Sequence, residues 1–454
     1  KRKETMKRYL CKIVQAKAIA LMLFAAAGSS AFAQSQDNVD AVELSLEKAV
    51  DIAIKENSTL KASKESIKMK ENEYKEAWQK LLPELSVVGV LDHTIIAPEM
   101  KLNDMVFKMG KDNSNTVNGM LSLNMPLFVP SIYKAMSMTK SDVQLTVEKA
   151  RASRVDMYNQ VKKAYYQLML ARESYLVLQK SYEVAKEQFD LVSKKFEQGL
   201  VSEYDKLTAE VQMNSIKPNV VSAENAMQIS NLQLNMLLSL PAETKIKTVG
   251  SLTDYMTEDK KEVFADGIDL TNNSDIKQLN INKEILDKSV KLARTGFMPN
   301  LSLGFSYKYQ SLNNPNFRVM DYAWANSSSV SLNLSFPLFK ASNYTKLKSA
   351  KLQRAILQYN ADDVERKINV QAISFRNTMI SALEQIDNNR KNIDKAQKAL
   401  DIASKRYEIG KGTLIEVNSA QISLTQVKLA YTQSVYDYMV AASELKRVLG
   451  KEEL

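Results

Sequence analysis

Two spacing patterns divide this chain. Over most of its length apolar residues recur at steps of three, four or seven. Tyr158, Val161, Tyr165, Leu168, Tyr175, Leu178, Tyr182, Ala185, Phe189, Val192 and Phe196 form one such stripe, and Ile386, Ile393, Ala396, Leu400, Ala403 and Tyr407 form another. Stripes of this kind are the packed seams of coiled coils. Neither Gly nor Pro occurs in residues 131–198, a run of 68, or in residues 338–409, a run of 72. Both residue types weaken helix interiors, so each run predicts one very long helix. At 1.5 Å per residue such a helix reaches roughly 100 Å, more than the diameter of a compact domain. Turns are predicted at Gln198–Ser202 and Ile409–Thr413, after which the helical pattern resumes to about Leu238 and Leu449. Each half therefore holds an α-hairpin. Pro218 predicts a kink in the first return helix.

Upstream of each long run the period drops to two. Leu301, Leu303, Phe305, Tyr307 and Tyr309 alternate with Ser302, Gly304, Ser306, Lys308 and Gln310, and Val330, Leu332, Leu334 and Phe336 alternate with Ser329, Ser331, Asn333 and Ser335. In the first half Val117, Gly119, Leu121, Leu123 and Met125 alternate with Asn118, Met120, Ser122 and Asn124. Leu85 to Asp92 is less regular, with Val88 and Val90 on the polar side. Pro83 and Pro126 bracket the first pair of segments and Pro299 and Pro337 the second, which marks all four prolines as helix–strand junctions.

The two halves repeat one plan. Asn57-Ser58-Thr59-Leu60-Lys61 returns as Asn273-Ser274-Asp275-Ile276-Lys277, and Leu82-Pro83-Glu84-Leu85-Ser86 as Met298-Pro299-Asn300-Leu301-Ser302, both at an offset of 216. At an offset of 211, Leu123-Asn124-Met125-Pro126-Leu127-Phe128 returns as Leu334-Ser335-Phe336-Pro337-Leu338-Phe339, and Phe196-Glu197-Gln198-Gly199 as Tyr407-Glu408-Ile409-Gly410. Ordered landmarks at near-constant offsets indicate duplication. The expected organisation is a first repeat at 34–240, a connecting segment at 241–271 and a second repeat at 272–454, each repeat a helix, a β-hairpin and a long α-hairpin.

Residues 1–33 read as a secretory signal peptide: a basic stretch to Lys17, a short apolar run from Ala18 to Gly28, and Ala31-Phe32-Ala33 as the cleavage site. The run is too short to span a bilayer as an anchor. This changes the meaning of the charge. The whole chain carries +10 at a pI near 9.2, but seven basic residues and one acidic residue fall in the leader, leaving +4 for the rest. A nucleic-acid partner is therefore not expected. The one cysteine, Cys11, lies in the leader, so the exported chain has no disulfide, thiolate metal site, cysteine nucleophile or lipid-bearing N-terminal cysteine. His93 is the sole histidine and reads as a surface loop residue. With no phosphate-binding loop and one histidine, neither a zinc hydrolase nor a histidine triad can be built. We expect no catalytic residue, cofactor or metal. The methionines beyond Met6 and Met22 are scattered and read as packing residues.

Export gives the alternating segments their context. They have about the 9–11 residues of a transmembrane strand, no helix beyond the leader is apolar enough to span, and no helix pattern is left over to cover their apolar face. Tyr307, Tyr309, Tyr322 and Trp324 suit an interfacial girdle, though the last two read equally as loop aromatics. Hydrocarbon does not tolerate open strand edges, so the sheet must close. Four strands are too few when the smallest such barrels have about eight, so several copies must combine. Three copies would give about twelve strands, but the arithmetic does not select three over two or four.

The order of leader, helix, Leu-Pro, strand hairpin, Pro-Leu-Phe, very long helix, aromatic-x-x-Gly turn and return helix resembles the TolC-type outer-membrane efflux proteins, the outer membrane factor family. All but the leader is given twice, and the resemblance spans about Leu44 to Gly450. It implies an α+β membrane protein: a homotrimer with a twelve-stranded β-barrel, four strands per chain, in contact with outer-membrane lipid and continued by a long periplasmic α-helical barrel. It further implies a passive duct, not an enzyme, working with a periplasmic adaptor (membrane fusion) protein and an inner-membrane pump of RND or ABC type, most simply in small-molecule efflux. A duct for type I protein or peptide secretion is the alternative within the family. A periplasmic coiled-coil structural protein is the alternative outside it, and leaves the four alternating segments unexplained.

In that family the tips form the aperture and dock the adaptor. The matching residues here are Phe196, Gly199, Leu200, Val201, Ser202 and Asp205 in the first tip, and Tyr407, Gly410, Lys411, Gly412, Thr413 and Glu416 in the second. Gly199 and Gly410 would supply turn conformations that other residues resist. Asp205 and Glu416 match acidic positions; rings of carboxylates would repel one another and attract cations, or the two residues simply favour helix starts. Gly412 stands where an arginine is found in the family member compared, and Ser419 replaces a second acid, so the resemblance implies the aperture but does not extend to that member's closed-state lock.

Overall fold

A computed structural model describes residues 42–102, 105–257 and 268–451. The expected leader at 1–33 and residues 258–267 of the expected connecting segment lie outside these. The chain runs through β1 (Val42–Leu44), α1 (Leu46–Glu56), α2 (Ser58–Gln79), β2 (Glu84–Thr94), β3 (Glu99–Leu102), β4 (Met105–Lys108), β5 (Ser114–Phe128), α3 (Pro130–Glu197) and α4 (Glu203–Leu238). It continues through β6 (Ile246–Thr248), α5 (Ser274–Arg294), β7 (Asn300–Asn314), β8 (Ala325–Ser335), α6 (Ala341–Glu408) and α7 (Leu414–Leu449).

The helix lengths repeat. α3 and α6 each have 68 residues, and the return helices α4 and α7 each have 36. Pro130 occupies the first turn of α3, where its missing N–H costs nothing. Pro218 lies inside α4, which continues on both sides of it. Among the described residues no helix is long and apolar enough to cross a membrane.

β2, β5, β7 and β8 form one antiparallel sheet in that order. Its register puts like with like. Leu85, Leu123, Phe305 and Val330 share one cross-strand row, and Val87, Leu121 and Tyr307 share another on the same face. The intervening rows are more polar, most fully where Ser86, Ser122, Ser306 and Ser329 line up across all four strands. Their hydroxyls pair at 2.7 Å (Ser86 with Ser122) and 2.9 Å (Ser306 with Ser329). Leu301 to Ser311 on the apolar face spans about 33 Å of strand, or ~25 Å of height at a ~40° tilt, the thickness of a membrane β-barrel's apolar band. Among the described residues nothing covers this face: Val330 is 73% exposed and Leu334 70%. Among the described residues β2 and β8 have no pairing partner on their outer edges.

Two sequence expectations need correction. Pro126 is not at a junction but inside β5, which runs on to Phe128. The strand accommodates it at an irregularity, because pairing with β7 shifts between Pro126 and Phe128 and the missing N–H falls where the ladder is already broken. Pro83 and Pro299 directly precede β2 and β7, and Pro337 lies in the link between β8 and α6. His93 is a strand residue of β2, not a loop residue; it pairs with Asn115, with Nδ1 2.8 Å from the Asn115 Oδ1, and stacks on Phe317. The short β3–β4 hairpin beyond it was not foreseen.

The main core lies midway along the long helices. There α1, the middles of α3 and α6 and the far ends of α4 and α7 bury Tyr165, Met169, Leu234, Met379 and Tyr438 almost completely. Tyr165 donates its hydroxyl to the Leu44 carbonyl at 2.9 Å and accepts from the Val249 N–H at 3.1 Å, and burial first of all pushes its pKa up. Two asparagines bolt the halves in the same way. Asn57 caps α2 through the Thr59 N–H at 2.9 Å and donates Nδ2 to the Leu237 carbonyl at 3.0 Å. Asn273 caps α5 through the Asp275 N–H at 2.8 Å and donates Nδ2 to the Val448 carbonyl at 2.7 Å.

Candidate functional site at the hairpin tips

Both long helices stop in the same way. Gly199 and Gly410 each hold φ at +71°, a left-handed value that side chains with a Cβ resist. Behind each, two bonds close the helix end. The Leu200 N–H donates to the Lys195 carbonyl at 2.9 Å and the Gly199 N–H to the Phe196 carbonyl at 2.9 Å. In the second tip the Lys411 N–H donates to the Arg406 carbonyl at 2.8 Å and the Gly410 N–H to the Tyr407 carbonyl at 3.1 Å. This is the Schellman arrangement, and it satisfies carbonyls that the helix leaves open. In the second tip Arg406 also donates to the Lys411 carbonyl at 3.2 Å.

The return helices start with reciprocal caps. The Ser202 hydroxyl accepts from the Asp205 N–H at 3.2 Å, while Asp205 Oδ2 accepts from the Ser202 N–H at 3.2 Å and its hydroxyl at 2.8 Å. Thr413 and Glu416 do the same, each N–H donating to the other's side chain at 3.3 Å. The two acids expected at the aperture are thus engaged within their own helix starts. Each box uses one carboxylate oxygen, Oδ2 or Oε2, and leaves the second for an outside partner. The spacings Ser-x-x-Asp and Thr-x-x-Glu were legible signatures of this arrangement.

A small core joins the two tips. Leu414, 2% exposed, packs with Val192 and Ala209 of the other hairpin, and Phe189, Val201 and Tyr407 close around them. Lys195 places its Nζ 5.0 Å from the centre of the Tyr407 ring, and Lys206 places its own 5.1 Å from that of Phe196. Such cation–π contacts cross between elements and cannot be read from linear spacing. The Tyr407 hydroxyl is buried with no hydrogen-bond partner among the described residues. Burial first, and then the Asp205 charge, push its pKa up. Gly412 is held by close approach: a Cβ there would meet the Arg406 Cβ at 3.0 Å and Glu416 Oε2 at 3.1 Å. An arginine would not fit this backbone without movement. Leu200, 68% exposed, and Lys411 stand clear of the tip core. No metal-binding cluster is found among the described residues.

The family model described as outer membrane efflux protein matches residues 49–239 and 269–451. The outer membrane protein TolC of Vibrio cholerae is 19% identical over 339 residues, covering 74% of this chain and 77% of that relative. The Campylobacter jejuni CmeC outer membrane channel superposes with a TM-score of 0.73 at 19% identity, covering 89% of this chain and 85% of that one. The outer membrane protein VceC of Vibrio cholerae does so with a TM-score of 0.72 at 15% identity, covering 89% and 96%. With both halves of the fold and both tips accounted for, the chain belongs to the outer membrane efflux protein family, as a non-enzymatic channel protein of the outer membrane with a helical periplasmic extension.

Proposed function

We propose that three copies of this chain close one barrel and form the outer-membrane duct of a tripartite export system. The carrying observation is the sheet: an apolar face of membrane height that, among the described residues, is uncovered and lies between two unpaired edges. Joining β8 of one copy to β2 of the next removes every edge, and three four-stranded sheets make about twelve strands, within the range of membrane barrels. The repeats at 34–240 and 272–454 would each give one α-hairpin to the helical tunnel, with 241–271 between them. Transport energy would come from an inner-membrane pump of RND or ABC type through a periplasmic adaptor, because the chain carries no nucleotide-binding motif. Efflux is in keeping with relatives such as the Brucella suis outer membrane efflux protein BepC, and small molecules are the preferred cargo reading.

The tips are the proposed docking and closing end. Leu200 and Lys411 offer exposed side chains to an adaptor, while Asp205 and Glu416, each with one carboxylate oxygen outside its capping box, would line the opening. A photocrosslinking residue at Leu200 or Lys411 in living cells tests this, with captured proteins identified by mass spectrometry. Capture of an adaptor belonging to a proton-driven pump is the expected result. An adaptor of an ATP-driven exporter would favour protein or peptide secretion, and capture of neither at both tips would overturn the docking reading.

A further inference from the structure

The polar face of the sheet is nearly free of charge, and its one cation stands in the middle. Within the paired rows that face carries Glu84 at the end nearest the helices, Asp92 at the far end and Lys308 between them. Lys308 shares its row with Val88, Met120 and Ser327. The polar-face row on one side is the four-serine row. The row on the other side holds Val90, Asn118, Gln310 and Ala325. Glu84 and Asp92 are each four residues along the strands from the Lys308 row. At ~3.3 Å per residue that is about 13 Å, beyond the ~8 Å Debye length of physiological salt. Neither carboxylate therefore neutralises Lys308.

We propose that Lys308 forms a cationic belt midway along the barrel, which favours anionic solutes over its own row, between the carboxylate rows of Glu84 and Asp92. This rests on the trimeric duct reading above. Twelve strands ~4.8 Å apart and tilted by ~40° give a backbone radius of roughly 12 Å. A lysine reaching inward by ~6 Å leaves three ammonium groups about 6 Å from the axis, so no point of the cross-section escapes their field. Three unit charges at that distance, in water and screened at 0.15 M salt, enrich a monovalent anion on the axis about fivefold and deplete a cation by the same factor. The serine row beneath offers hydroxyls to either sign and does not compete. Solutes entering from the tunnel would pass the Glu84 row, then the uncharged serine belt and then the cationic ring.

The test uses the whole protein in intact cells. Ser327→Cys puts a thiol in the Lys308 row, and with Cys11 replaced it is the only one in the chain. The rates of its modification by a sulfonate-bearing and by a trimethylammonium-bearing methanethiosulfonate reagent are compared, with and without Lys308→Gln. With Lys308 present the anionic reagent should react faster relative to the cationic one, and Lys308→Gln should lower that ratio at least fivefold. A change of less than twofold would overturn the proposal while leaving the duct intact. Ser328→Cys, on the opposite face, separates the two readings: it should be shielded by lipid. If Ser328→Cys is labelled and Ser327→Cys is not, the assignment of faces fails, and the duct reading and this proposal fail together.

Discussion

Gly450 invites a sharp experiment because two other glycines share its backbone conformation and not its surroundings. Gly199 and Gly410 hold φ at +71° and Gly450 at +67°. An alanine at Gly199 or Gly410 would find nothing within 4 Å of its Cβ. Its cost is then the left-handed conformation alone, about 1 kcal/mol. At Gly450 the new Cβ would lie 2.1 Å from the Asn272 carbonyl oxygen, 2.4 Å from its carbon and 2.9 Å from the Asn273 nitrogen. All three are backbone atoms, so the chain itself must move by ~1 Å, and overpacking adds about 1–3 kcal/mol. The total is about 3 kcal/mol. The displacement also pulls on the bond from Asn273 to the Val448 carbonyl and on the cap of α5. Hydrogen exchange followed by mass spectrometry on the purified assembly reads such local opening directly. At ~1.4 kcal/mol per tenfold, Gly450→Ala should speed exchange in residues 268–280 about a hundredfold. Gly410→Ala should speed exchange around residues 405–416 about fivefold and leave 268–280 unchanged. Acceleration below tenfold at 268–280 in Gly450→Ala would refute the steric account.

Three further outcomes are expected. Tyr407→Phe removes a buried hydroxyl without a partner, so thermal stability should stay level or rise by up to about 1 kcal/mol; a loss above that would mean a neighbouring copy supplies the missing bond. Ser202→Ala and Thr413→Ala each open a capping box and should cost about 1 kcal/mol, seen as faster exchange in the first turn of the return helix and nowhere else. Burial alone would raise Glu444, but bonds from Lys163 at 2.7 Å and Arg447 at 2.8 Å outweigh it and hold the carboxyl below its usual range. The stability it contributes is therefore present above about pH 4.3 and lost as pH falls through the lowered value. Nearby Asp156, raised chiefly by burial, works in the opposite direction, so its stability is present at low pH and lost as pH rises. Comparing the melting temperature of wild type and Glu444→Gln from pH 7 to 3 isolates the first effect: the variant should be less stable at neutral pH, and the gap should close in acid.

The helices were legible because their limits are written in glycine and proline. The predicted turns at 198–202 and 409–413 are where α3 and α6 end and α4 and α7 begin. The four strands were legible from period-two alternation, and even the misplaced Val88 and Val90 lie on the polar face as read. Pro126 misled because a proline inside a strand and a proline at its end look alike in sequence; only the pairing shift at Phe128 separates them. The β3–β4 hairpin was missed because eight residues of mixed polarity carry no clear period. At the tips the glycines and the cap spacings were in plain view. The join between the tips was not, since Lys195 with Tyr407, and Leu414 with Val192, meet only after two separate hairpins come together.

The unpaired edges of β2 and β8 have a genetic consequence. A chain that needs its neighbours to complete its sheet exposes each assembly to the worst of its members. A proline placed in the middle of β8 would spoil one seam and with it the whole ring. In the proposed trimer, a cell making defective and normal chains in equal amounts would assemble only about one ring in eight entirely from normal chains. Edge-strand lesions in this protein should therefore behave as dominant, while lesions that stop a chain from folding at all should be recessive.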